Sequence, residues 1–366
     1  MLKVHRWFIL LGVVFIVFIG FSLDFKTQKN SSEFDKWFKQ FVSDLSNEDI
    51  SQETVEGFTK TVKFIPNLPK KAGETINISK IQYLLDDDLV LKSQLFFKDN
   101  IKVLKAKEQN YKVPSEIIVA FLGVGSKFGN NLGNYQIINV LSTLASQKEE
   151  SASQELLAFL KLVDQSYVSL DALGKEDGTF TYLGITPSNY LFYGVDGDLN
   201  GNIDLYNSQS DILETAYSLF NNMGWRYEED WGDKILVPEN INFTENQGIA
   251  NARPLLDWSA LGFRRDTKDP LPNNNDNGVL VLLDNGEGVL LYSNFNNIFK
   301  ANNNLNKSVA VGLLSENLRV YYNLMDYKEK YVTGSPKTPY KYTNDNQIKR
   351  DNVPPAARYR YLESIK

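Results

Sequence analysis

Apolar and polar positions alternate along this chain in blocks of different period. An uncharged run from Trp7 to Leu23 has no polar face, and a short polar stretch, 24–33, follows it. Phe34, Trp37, Phe38, Phe41 and Val42 then recur at helical spacing. The pattern stays mostly helical to about Lys107, with Asn47 placed as a cap before Glu48 and Asp49. Val113–Gly129 predicts a further helix. Pro114 suits its first position, Glu116 complements the dipole, Ile117, Ile118, Phe121 and Val124 mark one buried face, and Gly129 is placed to end it. Two more helices are predicted between Gln136 and Ser169, joined by a solvated loop that carries Glu149 and Glu150. A short amphipathic helix over 209–222 closes at Met223-Gly224-Trp225.

From Lys234 to about Leu291 the period becomes that of strands, and Asp284–Gly288 reads as a hairpin turn, so a small antiparallel sheet is expected. Asn273–Asn277 is a low-complexity loop with no evident role. Helix returns over Phe295–Leu318. From Lys328 to Lys366 nine Lys and Arg stand against four Asp and Glu, with tyrosines interleaved. This tail reads as disordered, or as a contact strip for an anionic wall polymer or an envelope protein.

A chain of 366 residues exceeds one typical domain, and its hydrophobic share of 42% is that of a folded protein. The net charge of −6 carries no nucleic-acid signature. With no cysteine, disulfides, cysteine metal sites and a lipidated cysteine are excluded. The single histidine, His5, lies beside the apolar run, so no histidine triad or zinc site is available. Lys3 and Arg6 before that run predict an inner-membrane anchor with the rest of the chain facing the periplasm. Gly20 and Ser22 also form a tolerable cleavage site, which would leave a periplasmic protein.

Asp196, Asp198, Asn200, Asn202, Asp204 and Asn207 have the spacing of an EF-hand-type calcium loop, with Gly201 at its sharp turn. Asn202 would ligate through its backbone carbonyl. Asn207 stands where a bidentate Glu is usual, so weak Ca2+ binding is expected, with no organic cofactor; an empty loop ordered by Asx turns is the alternative.

Several motifs together resemble the lytic murein transglycosylases of the membrane-bound B type. P-S-E-I-I followed by G-V-G-S-K-F-G matches the family pattern around its catalytic Glu, except that Gly125 takes the place of the acid. Gly178–Tyr190 resembles a loop that lines the family's sugar cleft. Tyr182, Pro187, Ser188 and Tyr190 match, while the family's Gln falls on Gly184 and a glycine on Leu183. Near Phe295–Leu318, Asn302 matches, but the family's Tyr falls on Ala301 and its Ser on Asn304. The calcium loop, the helix-Gly-Trp run and the β insertion fit as well, so the resemblance covers roughly Phe34–Leu318.

The resemblance implies an α+β, mainly helical fold: a lysozyme-like core with an N-terminal helical region and a small antiparallel β insertion. The expected order is anchor or signal 1–23, linker 24–33, helical domain 34–110, core 111–233, β domain 234–292, C-terminal helices 293–326 and tail 327–366. It further implies peptidoglycan glycan strands as partner, with Phe128, Tyr182, Ser188, Tyr190 and Asn302 as substrate contacts. In the family one Glu protonates the bond between N-acetylmuramic acid and N-acetylglucosamine, then acts as base while a 1,6-anhydro ring closes. Gly125 can do neither, and Glu116, nine residues away on the helix, lies about 13.5 Å along the axis on the opposite face. The expected protein is a saccharide-binding member that has lost catalysis. The alternatives are an active transglycosylase with a relocated acid, for which Glu155 is a candidate, and a calcium-ordered structural protein without a glycan ligand.

Overall fold

The computed structural model describes residues 32–69, 76–149, 151–238, 241, 246, 248–282 and 288–328. The apolar run 7–23, Glu150, the hairpin turn after Leu282 and the basic tail lie outside the described residues. Among the described residues no helix is long and apolar enough to cross a membrane. They fall into two compact units: 32–69, 132–192 and 201–204 form the first, and 76–131, 193–200 and 205–328 the second. Residues 34–110 are thus shared between the two.

In the first unit, α1 (32–44) turns Phe34 and Phe38 towards Phe64 and Phe58, with ring centroids 5.5 and 5.6 Å apart. After a 3-10 turn, α2 (Gln52–Thr61) begins at Ser51, whose hydroxyl accepts from the Thr54 amide. Asn47, the expected cap, ends the 3-10 turn instead. Ser51 wins because Asp164, far along the chain, accepts from its amide and hydroxyl and from the Thr54 hydroxyl, fixing the cap from outside the helix. The two expected helices form as α7 (Ile137–Ser146) and α8 (Ala152–Asp164), and Glu149 is exposed between them. Two short strands, β1 (Tyr135–Gln136) and β2 (Leu173–Gly174), pair antiparallel. Gly133, at φ 91°, makes this possible, since a Cβ there would lie 2.0 Å from the Gly174 carbonyl oxygen. A short helix, α9 (Pro187–Tyr193), follows.

The second unit gathers α3 (Ile78–Leu84), α4 (Asp87–Asp99), α5 (Ile101–Tyr111), α6 (Ser115–Ser126) and α10 (Gln209–Asn222) with the sheet and the last two helices. All twelve residues of α6 are buried, not one face alone. The stripe Ile117, Ile118, Phe121 and Val124 was the visible part of a helix apolar all round, which belongs in a core. Pro114 is extended (ψ 134°) and stands just before the helix, its carbonyl accepting from Ile117. Termination also comes early. Lys127 and Phe128 are already left-handed, at φ 51° and 55°, ahead of Gly129 at 79°.

The sheet runs β4–β6–β7–β3–β5, antiparallel throughout, from β3 (Gly232–Leu236), β4 (Arg253–Pro254), β5 (Arg264–Arg265), β6 (Asn277–Leu282) and β7 (Gly288–Leu291). Its core holds Leu255, Trp258 and Phe263 with Leu280 and Leu290. An unexpected helix, α11 (Leu255–Ala260), supplies Trp258, whose indole N–H donates to the Gly278 carbonyl at 3.0 Å. The asparagine run before β6 has a structural role: buried Asp276 accepts from the Ser293 amide and pairs with Arg226 at 2.7 Å. The last helical stretch is two helices, α12 (Phe295–Asn302) and α13 (Leu305–Lys328), broken at Asn303, which is left-handed at φ 47°. α13 packs along α6, α3 and α4.

Candidate functional site

Gly125 lies buried in the last turn of α6. The left-handed residues beyond it reverse the chain tightly. The Lys127 amide bonds the Gly123 carbonyl at 2.8 Å, and the Ser126 hydroxyl accepts from the Gly129 amide at 2.9 Å. The turn lays Phe128, half-buried, against Phe96 with centroids 5.0 Å apart. Gly123 permits this, since a Cβ there would lie 3.3 Å from the Phe128 ring and 3.0 Å from the Ser93 hydroxyl. Lys127 points its ammonium to Asp86 at 2.7 Å and lies 6.0 Å from the ring centre of the exposed Tyr83. The only carboxylate on α6, Glu116, is at the other end, paired with Lys105 at 3.2 Å. Lys105 is held in turn by Glu108 at 2.9 Å and by the Tyr322 ring at 4.6 Å.

In the first unit, Phe180 and Ile185 exchange backbone hydrogen bonds, closing a tight loop with Gly184 at φ 64°. Tyr182 within it is half-buried, and burial pushes its hydroxyl pKa up. The other matched residues serve the fold. Glu155 of α8 accepts from the Ser188 amide at 2.9 Å and its hydroxyl at 2.7 Å, so it complements the first turn of α9. Ser188 is therefore engaged, and Glu155 holds a helix terminus instead of standing ready as an acid. Tyr190 is 1% exposed and donates to the Ile203 carbonyl at 2.6 Å. In the second unit, Asn302 is 2% exposed and donates to the Ile298 carbonyl at 3.0 Å, beside fully buried Ala301. Of the expected saccharide contacts, Tyr190 and Asn302 are thus buried in the fold, and Ser188 is half-buried and hydrogen-bonded to Glu155. A matched motif position does not report whether its side chain points in or out.

In the calcium-type loop, Asp196 and Asp198 are joined by a residue the spacing did not include. Asp211, in the first turn of α10, has a carboxylate oxygen within 4.8 Å of theirs. It is fully buried and accepts from the Gly197 amide at 2.8 Å. The Asn200 amide donates to Asp196 at 3.1 Å and to Asp198 at 3.2 Å, and Gly201 takes the expected left-handed turn at φ 91°. Asn207 lies in the second unit with these groups; Asn202 and Asp204 lie in the first. Three carboxylates gathered this closely, all hard oxygen donors, fit a cation such as Ca2+.

A further cluster was not foreseen. Arg265 of β5 donates to Asp233 of β3 at 2.9 Å and to Asp230 at 3.1 Å. Asp230 also accepts from Arg319 of α13 at 2.9 Å, and Arg319 holds Glu316 at 2.6 Å. Burial pushes the Asp233 carboxyl up to about 7; Arg265 pulls it down, and Asp230 and Glu316 add to the rise. Close by, Glu116, Glu229, Asp230, Glu316 and Arg319 line a small cavity of about 50 Å3 with Trp225 and Trp231. Both indole N–H groups are buried without a hydrogen-bond partner among the described residues, which suits internal water. The acidic run Glu228-Glu229-Asp230-Trp-Gly-Asp233 was the available signal.

The family model for the transglycosylase SLT domain matches residues 33–316. Membrane-bound lytic murein transglycosylase B of Escherichia coli K12 is 28% identical over 237 residues, which is 63% of this chain and 63% of that protein. The chain thus spans under two thirds of the length of that curated relative. Among solved structures, SltB3 from Pseudomonas aeruginosa in complex with NAG-NAM-pentapeptide aligns with a TM-score of 0.69 at 25% identity, over 78% of this chain and 79% of that one. The Escherichia coli lytic transglycosylase Slt35 in complex with calcium aligns with a TM-score of 0.65 at 22% identity, over 77% and 92%. The mainly helical, lysozyme-like α+β class expected from the sequence is borne out.

Proposed function

Since this chain belongs to the transglycosylase SLT domain family, and within it to the lytic murein transglycosylase B type, we propose that it binds peptidoglycan glycan strands in the cell envelope without cleaving them. The observation that carries the reading is Gly125. The helix and the left-handed turn that seats Phe128 are formed around it, and no carboxyl stands at the position. Glu116 is neutralised by Lys105 at the far end of the helix, and Glu155 is occupied by Ser188. General acid catalysis by a positioned carboxyl commonly supplies 10²–10⁴-fold, roughly the factor at stake. Phe128 and Tyr182, half-buried aromatics, are the saccharide contacts this reading retains.

Asp196, Asp198 and Asp211 hold Ca2+ as a structural ion in this reading. In this reading the uncharged run 7–23 anchors the chain in the inner membrane with its body outside, in keeping with the membrane-bound Escherichia coli relative. The test is co-sedimentation of the purified protein with insoluble sacculi. The protein is expected in the pellet, with release by soluble muropeptides. Full recovery in the supernatant would favour the calcium-ordered structural protein instead.

A further inference from the structure

The first unit has a groove that packing alone does not explain. It runs between α1 and α8, has a volume of about 280 Å3, and is made by this unit's own residues. That volume is close to the lower end for small-molecule sites, roughly 300–1,000 Å3. Its floor is Trp37 and Phe41, stacked with centroids 5.1 Å apart at 24°, together with Leu45 and Leu157. Phe34 and Phe38 face the core rings Phe64 and Phe58, so packing alone accounts for their helical spacing. Trp37 instead meets Phe34 and Phe41 and stays half-exposed.

The walls are polar and only partly committed. Ser153 and Gln154 have no hydrogen-bond partner among the described residues, and Gln40 uses its amide on Asp44 at 2.8 Å, leaving its carbonyl open. Glu48 is paired with Lys161 at 3.0 Å, whereas Asp44 meets no cation among the described residues. An aromatic face beside amide, hydroxyl and carboxylate groups matches a pyranose, which presents C–H faces and a girdle of hydroxyls. The unneutralised Asp44 disfavours anions and accepts hydroxyl donors.

We propose that this groove is a saccharide-binding site that takes a short run of N-acetylated amino sugar. The saccharide chemistry comes from the groove itself, and the choice of sugar rests on the glycan-strand reading above. The probe is chitotetraose, titrated calorimetrically into the full-length protein. Saturable binding is expected. Trp37→Ala should weaken it roughly tenfold through loss of the aromatic platform. The Ser153→Ala/Gln154→Ala double variant, at positions that are not buried, should weaken it several-fold with unchanged unfolding.

Equal affinity in both variants would overturn the proposal. So would no binding of chitotetraose while sacculi still retain the protein, and the wider function would then stand. Loss of both would remove both readings. A dimer that Trp37→Ala dissolves would also overturn it, since the groove would then be covered by a second copy.

Discussion

At Gly184 the backbone is left-handed, φ 64°, and any side chain there costs about 1–2 kcal/mol. Ala301 is fully buried, so a larger residue must displace its neighbours, commonly at about 1–3 kcal/mol. Gly184→Gln and Ala301→Tyr, the substitutions that would restore the family's residues, should therefore each lower the urea midpoint; unchanged midpoints would show that both positions still have room. A different residue-scale effect is expected at Asp233. Its folded pKa, about 7, lies above the value near 3.9 of an unfolded Asp, so the folded state takes up a proton first. Its contribution is complete below about pH 4 and is lost as pH rises through 7. Urea unfolding across pH 5–8 should thus show stability falling with pH, by at most about 3 kcal/mol, and Asp233→Asn should flatten that slope. An identical slope in the variant would mean that Asp233 is ionised throughout. Nothing in the sequence distinguished Asp233 from its acidic neighbours, because its rise comes from burial, reinforced by Asp230 and by Glu316 far along the chain, against the pull of Arg265.

Helices were legible where their apolar periodicity was long. Ile137–Ser146 and Ala152–Asp164 formed as expected because local pattern and tertiary packing agree there. α11 was not legible, since six residues cannot establish a period and Trp258 earns its helix only by docking on Gly278. The cap at Ser51 was decided by Asp164, which no local rule includes. α13 depends on another distant fit. A Cβ on Gly312 would lie 2.4 Å from the Trp231 ring, so this glycine lets the helix approach the start of β3. Gly312→Ala should destabilise the protein by about 1–3 kcal/mol despite its better helix propensity. A gain in melting temperature would show that Trp231 can move aside.

For the molecule as a whole, the family scaffold was readable along most of the chain, because motif order and spacing survive where single residues have changed. The site was readable only in part. Gly125 and the loop at Asp196 could be found by register, but the burial of Tyr190 and Asn302 and the arrival of Asp211 are products of folding. If Ca2+ binds the folded loop, millimolar calcium should raise the melting temperature, and Asp211→Ala should reduce that rise. A wild-type melting temperature insensitive to calcium would show that the carboxylates are held by backbone amides alone. The central claim, a glycan-binding scaffold without its acid, is tested most directly by incubating the purified protein with sacculi and quantifying released 1,6-anhydromuropeptides. No release above the buffer control is expected, and Gly125→Glu alone should restore little, because a catalytic carboxyl needs surroundings that set its geometry and pKa. Release by the wild-type protein would contradict the account.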